Sequence, residues 1–138
     1  MNGKIKAVVL AAGKSKRMKS DRSKVVHKIL GKEIINYTLD ALSETGVDDE
    51  NIIIVVGENR KEVTAVVDRD VKFAVQKEQL GTADALMAAG SSLEGFKGDI
   101  LVTVGDNPYI KSSEFRTMIA YHREKALECT LLSARFPS

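Results

Sequence analysis

Apolar residues fall along this chain in two alternating patterns. Short, nearly continuous runs rich in Val, Ile and Leu occupy residues 7–10, 52–56, 71–75, 100–104 and 129–134. Runs of this kind suit strands buried on both faces. Between them the apolar positions take helical spacing. Ile34, Ile35, Leu39 and Leu42 mark one helix face, which Gly46 stops. Val63, Val66 and Val67 point inward from a helix near residues 61–67, and residues 82–89 form a short Ala-rich helix that Thr82 N-caps. A last helix over residues 112–127 opens on a Ser-x-Glu-like start. Strand and helix alternate throughout, which implies crossover connections. The expected fold is α/β: a doubly wound, mostly parallel, Rossmann-like sheet with helices on both faces.

Length sets the scale of that fold. The 138 residues, with no internal repeat, low-complexity tract or linker, amount to one domain or a piece of one. The sequence stops a few residues after the fifth predicted strand, at Phe136-Pro137-Ser138. A bare last strand would expose apolar surface and an unpaired edge, so either another strand pairs there or the sequence is incomplete.

Composition narrows the class. Hydrophobic residues make up 43% and charged residues 29%, ordinary globular values that exclude disordered, collagen-like and coiled-coil chains. The longest apolar run, residues 7–12, is far short of the roughly 20 residues that span a bilayer. The single Cys129 excludes a disulfide framework and a cysteine-based metal cluster. Membrane association is therefore not expected, and a cytoplasmic location is. Asn36-Tyr37-Thr38 is then a coincidental sequon.

Charge is unevenly placed. Residues 14–32 hold eight basic side chains and one acid, Asp21, whereas the whole chain has a net charge of only +2. A concentrated positive segment on a mildly acidic body suggests a local anionic ligand, set against the plain alternative of a solvated loop. Nucleic acid is not expected, because aromatics are 5% and none lies between Lys14 and Lys32 to stack on bases.

In doubly wound sheets, ligands bind beyond the carboxyl ends of the strands. Three segments lie there. Leu10-Ala11-Ala12-Gly13 leaves the first strand, and its small residues let backbone N–H groups approach a phosphate that the following cations neutralise. It is not a P-loop, which needs Gly where Val8 stands. Gln76 to Thr82 follows the third strand; amide side chains can read a nucleobase edge, and Gly81 permits close backbone approach. Asp106, directly after the fourth strand, is placed to hold Mg²⁺, although an Asx turn ahead of Pro108 is the alternative.

Together these segments resemble a known family. Leu-Ala-Ala-Gly-x-x-x-Arg-Met, a Lys six residues later, Gln-x-x-Gln-Leu-Gly-Thr and Gly-Asp-x-Pro follow in the order and spacing of the sugar-1-phosphate nucleotidyltransferases. Lys24-Val25-Val26-His27 and Gln79 to Ala85 are most similar to the uridylyltransferase domains of the bacterial bifunctional N-acetylglucosamine-1-phosphate uridyltransferase/glucosamine-1-phosphate acetyltransferases. The resemblance covers essentially the whole chain. It implies that Leu10, Ala11, Ala12 and Gly13 line the ribose and phosphates of UTP, and that Gln76 reads uracil with Gly81 and Thr82 beside it. Arg17 and Lys24 would hold the phosphates as the catalytic cations, Asp106 would bind Mg²⁺, and Val104 and Gly105 would run along the nucleotide. The implied partners are UTP and an N-acetylhexosamine 1-phosphate. The implied reaction is attack of the sugar-phosphate oxygen on the α-phosphorus, releasing pyrophosphate.

A phosphate oxygen is already a competent anion, so no Ser, Cys or His nucleophile is needed. His27 and His122 are accordingly expected to be structural, and Cys129 a core residue. The alternatives are the same chemistry on another sugar phosphate and a non-catalytic nucleotide-binding module. Departures from the family pattern are Ser15-Lys16 for Gly-Thr, Ser23 for Pro and Tyr109 for Leu. The resemblance implies that residues 1–138 correspond to the nucleotide-binding part of the transferase domain, and that the rest of that domain and the acyltransferase β-helix, through which full-length relatives trimerise, are expected to be absent from these residues.

Overall fold

The computed structural model describes residues 4–13 and 21–137. In chain order the elements are β1 (Ile5–Leu10), a hairpin of β2 (Lys28–Ile29) and β3 (Lys32–Glu33), α1 (Ile34–Thr45), β4 (Ile52–Val56), α2 (Arg60–Val66), β5 (Lys72–Val75), α3 (Thr82–Ala88), α4 (Gly90–Leu93), β6 (Asp99–Val104) and α5 (Ser112–Glu124). The main sheet has the order β5-β4-β1-β6, and every neighbouring pair is parallel. The register sets Val9 beside Ile54 on one side and Thr103 on the other.

Both faces of the sheet are covered at β1 and β4, whereas Ile100, Val102 and Val104 leave one face of β6 exposed. On one face of the sheet, Val9, Ile54 and Val56 pack with Leu39 and Leu42 of α1, Val63 of α2 and Phe115 and Ile119 of α5. On the other, Val8, Ile53 and Val55 pack with Ala85 of α3 and Ala89. All five residues of β4 are buried, which is why they read as an unbroken apolar run. Side chains such as Ile54 each contribute about 1.5–3 kcal/mol by leaving water.

Local signals explain several boundaries. Gly46 takes the left-handed conformation at φ 96°, with its N–H donating to the Ser43 carbonyl and Val47 N–H to that of Leu42. That is the Schellman ending of a helix. α5 begins with the Lys111 N–H donating to the Glu114 carboxylate at 2.7 Å.

Four expectations are corrected. Residues 129–134 form no strand; the segment is irregular, with Leu131 and Leu132 exposed, because it pairs with no strand of the sheet. Cys129 is consequently exposed rather than a core residue. The last helix ends at Glu124, where Ala126 turns to positive φ. Gly81, not Thr82, is the N-cap of α3, and Thr82 is the first helical residue.

Candidate functional site

The sheet order reverses between β1 and β6, and the chain exits there bound an open cleft of ≈ 390 Å³. Ligand sites in parallel sheets form at such switch points, and about 300–1,000 Å³ is their usual size. Segments following β1, β5 and β6 supply its walls, with α3 closing one side.

The β1 exit is held by side-chain amides. Ala11 continues the ladder, its N–H donating to the Val55 carbonyl at 2.9 Å. Its own carbonyl accepts from Asn59 Nδ2 at 2.7 Å, and the Ala12 carbonyl accepts from Gln79 Nε2. Leu10 to Gly13 all line the cleft, and the N–H groups of such a loop are the donors a phosphate takes.

Asn59 also places Lys24. Its Nδ2 donates to Ser23 Oγ at 2.8 Å, while its Oδ1 accepts from the Gly57 N–H at 3.0 Å. Ser23 is buried, and its N–H donates to Glu62 Oε2 at 2.8 Å. Proline, the family's residue here, could make neither bond. Beyond Ser23, a single 3₁₀ turn (Lys24–Val26) buries Val25 and Val26 and leaves Lys24 at the cleft.

At the β5 exit, the Gln76 N–H donates to the Val56 carbonyl at 2.8 Å. The Gln76 side chain is buried, with Nε2 donating to Asp84 Oδ2 at 2.7 Å and to the Gly81 carbonyl at 3.4 Å. Gly81 sits at φ 114°, a conformation that L side chains rarely adopt. Its carbonyl also accepts the Ala85 N–H at 3.0 Å, which starts α3. Gly81 and Thr82 both line the cleft.

The β6 exit supplies Val104 and Asp106. Gly105 lies behind them, its N–H donating to the Leu10 carbonyl at 2.9 Å. A Cβ there would stand 3.3 Å from the Ala11 Cβ and 3.4 Å from Val9 Cγ1. Glycine thus lets the two exits lie side by side without itself lining the cleft. Asp106 Oδ2 stands 3.3 Å from Lys24 Nζ, and each side chain is about half exposed. One cation and one carboxylate therefore face each other at the mouth.

Of the residues singled out from sequence, the fold gathers Leu10, Ala11, Ala12, Gly13, Lys24, Gln76, Gly81, Thr82, Val104 and Asp106 at one cleft. Arg17 lies outside the described residues. Neither histidine lines the cleft; His122 Nδ1 lies 2.9 Å from Thr130 Oγ1, and His27 Nε2 is buried without a partner among the described residues. Lys28 and Lys32 of the basic segment pair with Glu33 and Asp40 away from the cleft. Sequence reasoning missed Asn59, Ser23 and Asp84 as supports. Asn59 follows the carboxyl end of β4, so the rule that drew attention to the other three exits would have found it there.

Residues 7–135 match the family model of the MobA-like NTP transferase domain. The chain is 41% identical over 129 residues to the bifunctional protein GlmU of Clostridium tetani, covering 93% of this chain and 28% of that protein. It is 42% identical over 137 residues to the GlmU of Caldicellulosiruptor saccharolyticus, covering 99% and 29%. It therefore spans less than a third of the length of these curated relatives. Among solved structures, Rv0371c from Mycobacterium tuberculosis superposes with a TM-score of 0.75 at 25% identity, over 88% of this chain and 62% of that one. A manganese complex of Rv0371C gives 0.70 at 23%, over 87% and 60%. A nucleotidyl transferase from Methanothermobacter gives 0.69 at 26%, over 88% and 58%. Sequence motifs, the switch-point cleft and these matches agree: the chain belongs to the MobA-like NTP transferase domain family.

Proposed function

We propose that residues 1–138 are the nucleotide-binding part of a sugar-1-phosphate nucleotidyltransferase domain. The reaction is transfer of a uridylyl group from UTP to N-acetylglucosamine 1-phosphate, giving UDP-N-acetylglucosamine and pyrophosphate. The observation that carries this reading is the meeting, at one cleft, of the Leu10–Gly13 loop, the amide of Gln76 and the Lys24–Asp106 pair. The loop offers donors to phosphates, the amide reads a base, and Lys24 neutralises anionic charge. The names of the GlmU relatives support the choice of sugar and base.

The donor set suits a divalent ion such as Mg²⁺ bound together with the nucleotide. Asp106 is an exposed-edge carboxylate, and the described residues hold no group of three metal-ligating side chains. Mg²⁺ commonly takes one or two carboxylates plus substrate phosphates, so a lone Asp beside a phosphate site fits it. Bound there, such an ion supplies charge neutralisation to the phosphates; the manganese complex of the mycobacterial relative is consistent with that use. Lys24, beside Asp106, neutralises phosphate charge, and the loop fixes orientation for in-line attack.

Calorimetric titration of the chain with UTP and with ATP, each with and without Mg²⁺, tests the reading. Selective binding of UTP, strengthened by Mg²⁺, is expected. Equal affinity for the two triphosphates removes the uracil assignment, and no binding of either removes the nucleotide site. Selective binding without pyrophosphate release on addition of the sugar phosphate would favour the binding-module reading for this chain alone.

A further inference from the structure

Gln76 is an amide in a site where the direction of the amide decides which base is accepted. A primary amide presents two N–H donors at one end and an acceptor oxygen at the other. Two acceptors surround its nitrogen: Asp84 Oδ2 at 2.7 Å and the Gly81 carbonyl at 3.4 Å. Neither an ionised carboxylate nor a carbonyl can donate, so the opposite orientation would set oxygen against oxygen. The orientation is therefore fixed by chemistry. Among the described residues no group donates to Gln76 Oε1, and Gln76 lines the cleft.

We infer that Asp84 is a specificity-positioning residue: it locks the Gln76 amide so that its carbonyl, not its NH₂, meets the base, which selects bases carrying a ring imide N–H. This inference rests on the nucleotide reading above and deepens it. Uracil and thymine present an N3–H donor to such a carbonyl. Cytosine presents a bare N3 acceptor there, and N3-methyluracil presents a methyl group. Asp84 itself does not line the cleft; it acts through Gln76. Its place in the first turn of α3 ties the selection to the glycine-capped start of that helix.

The test is a set of calorimetric titrations of the chain with UTP, CTP and N3-methyluridine triphosphate. The wild-type protein is expected to prefer UTP over each of the other two by about tenfold or more, the scale of one well-placed hydrogen bond. In Asp84→Asn the new side chain can turn either way, so Gln76 can as well. The preference over CTP is expected to fall to within about threefold, mainly through gained affinity for CTP, whose N3 accepts from the turned amide, while the preference over N3-methyluridine triphosphate persists because neither end of the amide bonds a methyl group. Asp84→Glu keeps an acceptor-only carboxylate and is expected to retain the preference. Comparing these ratios separates selection from a structural role, because loss of helix stability would weaken all three ligands together. An unchanged ratio of UTP to CTP affinity in Asp84→Asn, or a wild type that binds UTP and N3-methyluridine triphosphate equally, overturns the inference while leaving the nucleotide site standing. If no triphosphate binds the wild type, the proposed function falls and this inference falls with it.

Discussion

Asn59 anchors the β1 exit and the turn that carries Lys24, although it does not itself line the cleft. Gln76, Gly81 and Asp106 stand at strand exits within recognisable spacings, so position and residue type together pointed to them. Asn59 offered no such spacing. Its importance comes from three partners far apart in the chain: the Ala11 carbonyl, Ser23 Oγ and the Gly57 N–H. Replacing Asn59 by Ala leaves all three without that amide, and a buried polar group left unpaired costs about 1–3 kcal/mol. Urea unfolding of Asn59→Ala should therefore show a stability loss on that order. It should also show weakened UTP binding, since both the β1 exit and the Lys24 turn lose an anchor. A variant as stable as the parent would mean that water replaces the amide without cost. At Asp106, substitution by Asn removes the carboxylate but keeps the shape, so the expected effect is narrow. The enhancement of UTP binding by Mg²⁺ should disappear while metal-free binding persists. An enhancement that survives would place the ion elsewhere.

At the scale of elements, patterns succeeded where burial was two-sided and failed where it was local. β4 reads directly from its five consecutive buried residues, and α1 from its apolar face and Gly46. The β2–β3 hairpin carries only two residues per strand and turns through Leu30 and Gly31, both at positive φ. No alternation could have revealed so short a ladder, and Leu is an unusual residue for such a turn. Residues 129–134 failed for the opposite reason: their apolar run matches a strand, but a strand exists only where a partner supplies hydrogen bonds. Two consequences follow at this scale. Gly46→Ala forces a side chain into left-handed backbone and should cost about 1 kcal/mol in chemical denaturation, with little effect on ligand binding. Glu33, which precedes α1, has its carboxyl held below the ordinary value of 4.5, first by its own backbone N–H and then by Asn36 Nδ2 at 3.0 Å. The lowered value means that the folded state favours the ionised form. That contribution is present above pH 4.5 and is lost as pH falls through the lower folded value. Melts between about pH 6 and 3 should therefore lose less stability in Glu33→Gln than in the parent. Parallel curves would show that Glu33 does not contribute to the acid limb.

For the whole molecule, the central fact is that one cleft draws on segments from both ends of the chain. β1 lies at the middle of the sheet, and the exits of β1, β5 and β6 meet where the strand order reverses. Residues 10 and 106 are thus brought together only when β1 and β6 have paired, with Leu10 beside Val104. A ligand spanning those exits cannot be bound by any half of the fold. Binding must then stabilise the folded chain as a unit, by RT ln(1 + [L]/Kd). At a free UTP concentration one hundred times its Kd this amounts to about 2.7 kcal/mol, which for a chain of this size raises the melting midpoint by roughly 10 °C. The rise should be larger with Mg²⁺ than without it, and the extra increment should vanish in Asp106→Asn. It should also show in hydrogen exchange as protection at residues 10–13, 76–82 and 104–106 together. Protection confined to one exit would indicate that the nucleotide touches a single loop, and that the three exits do not form a common site.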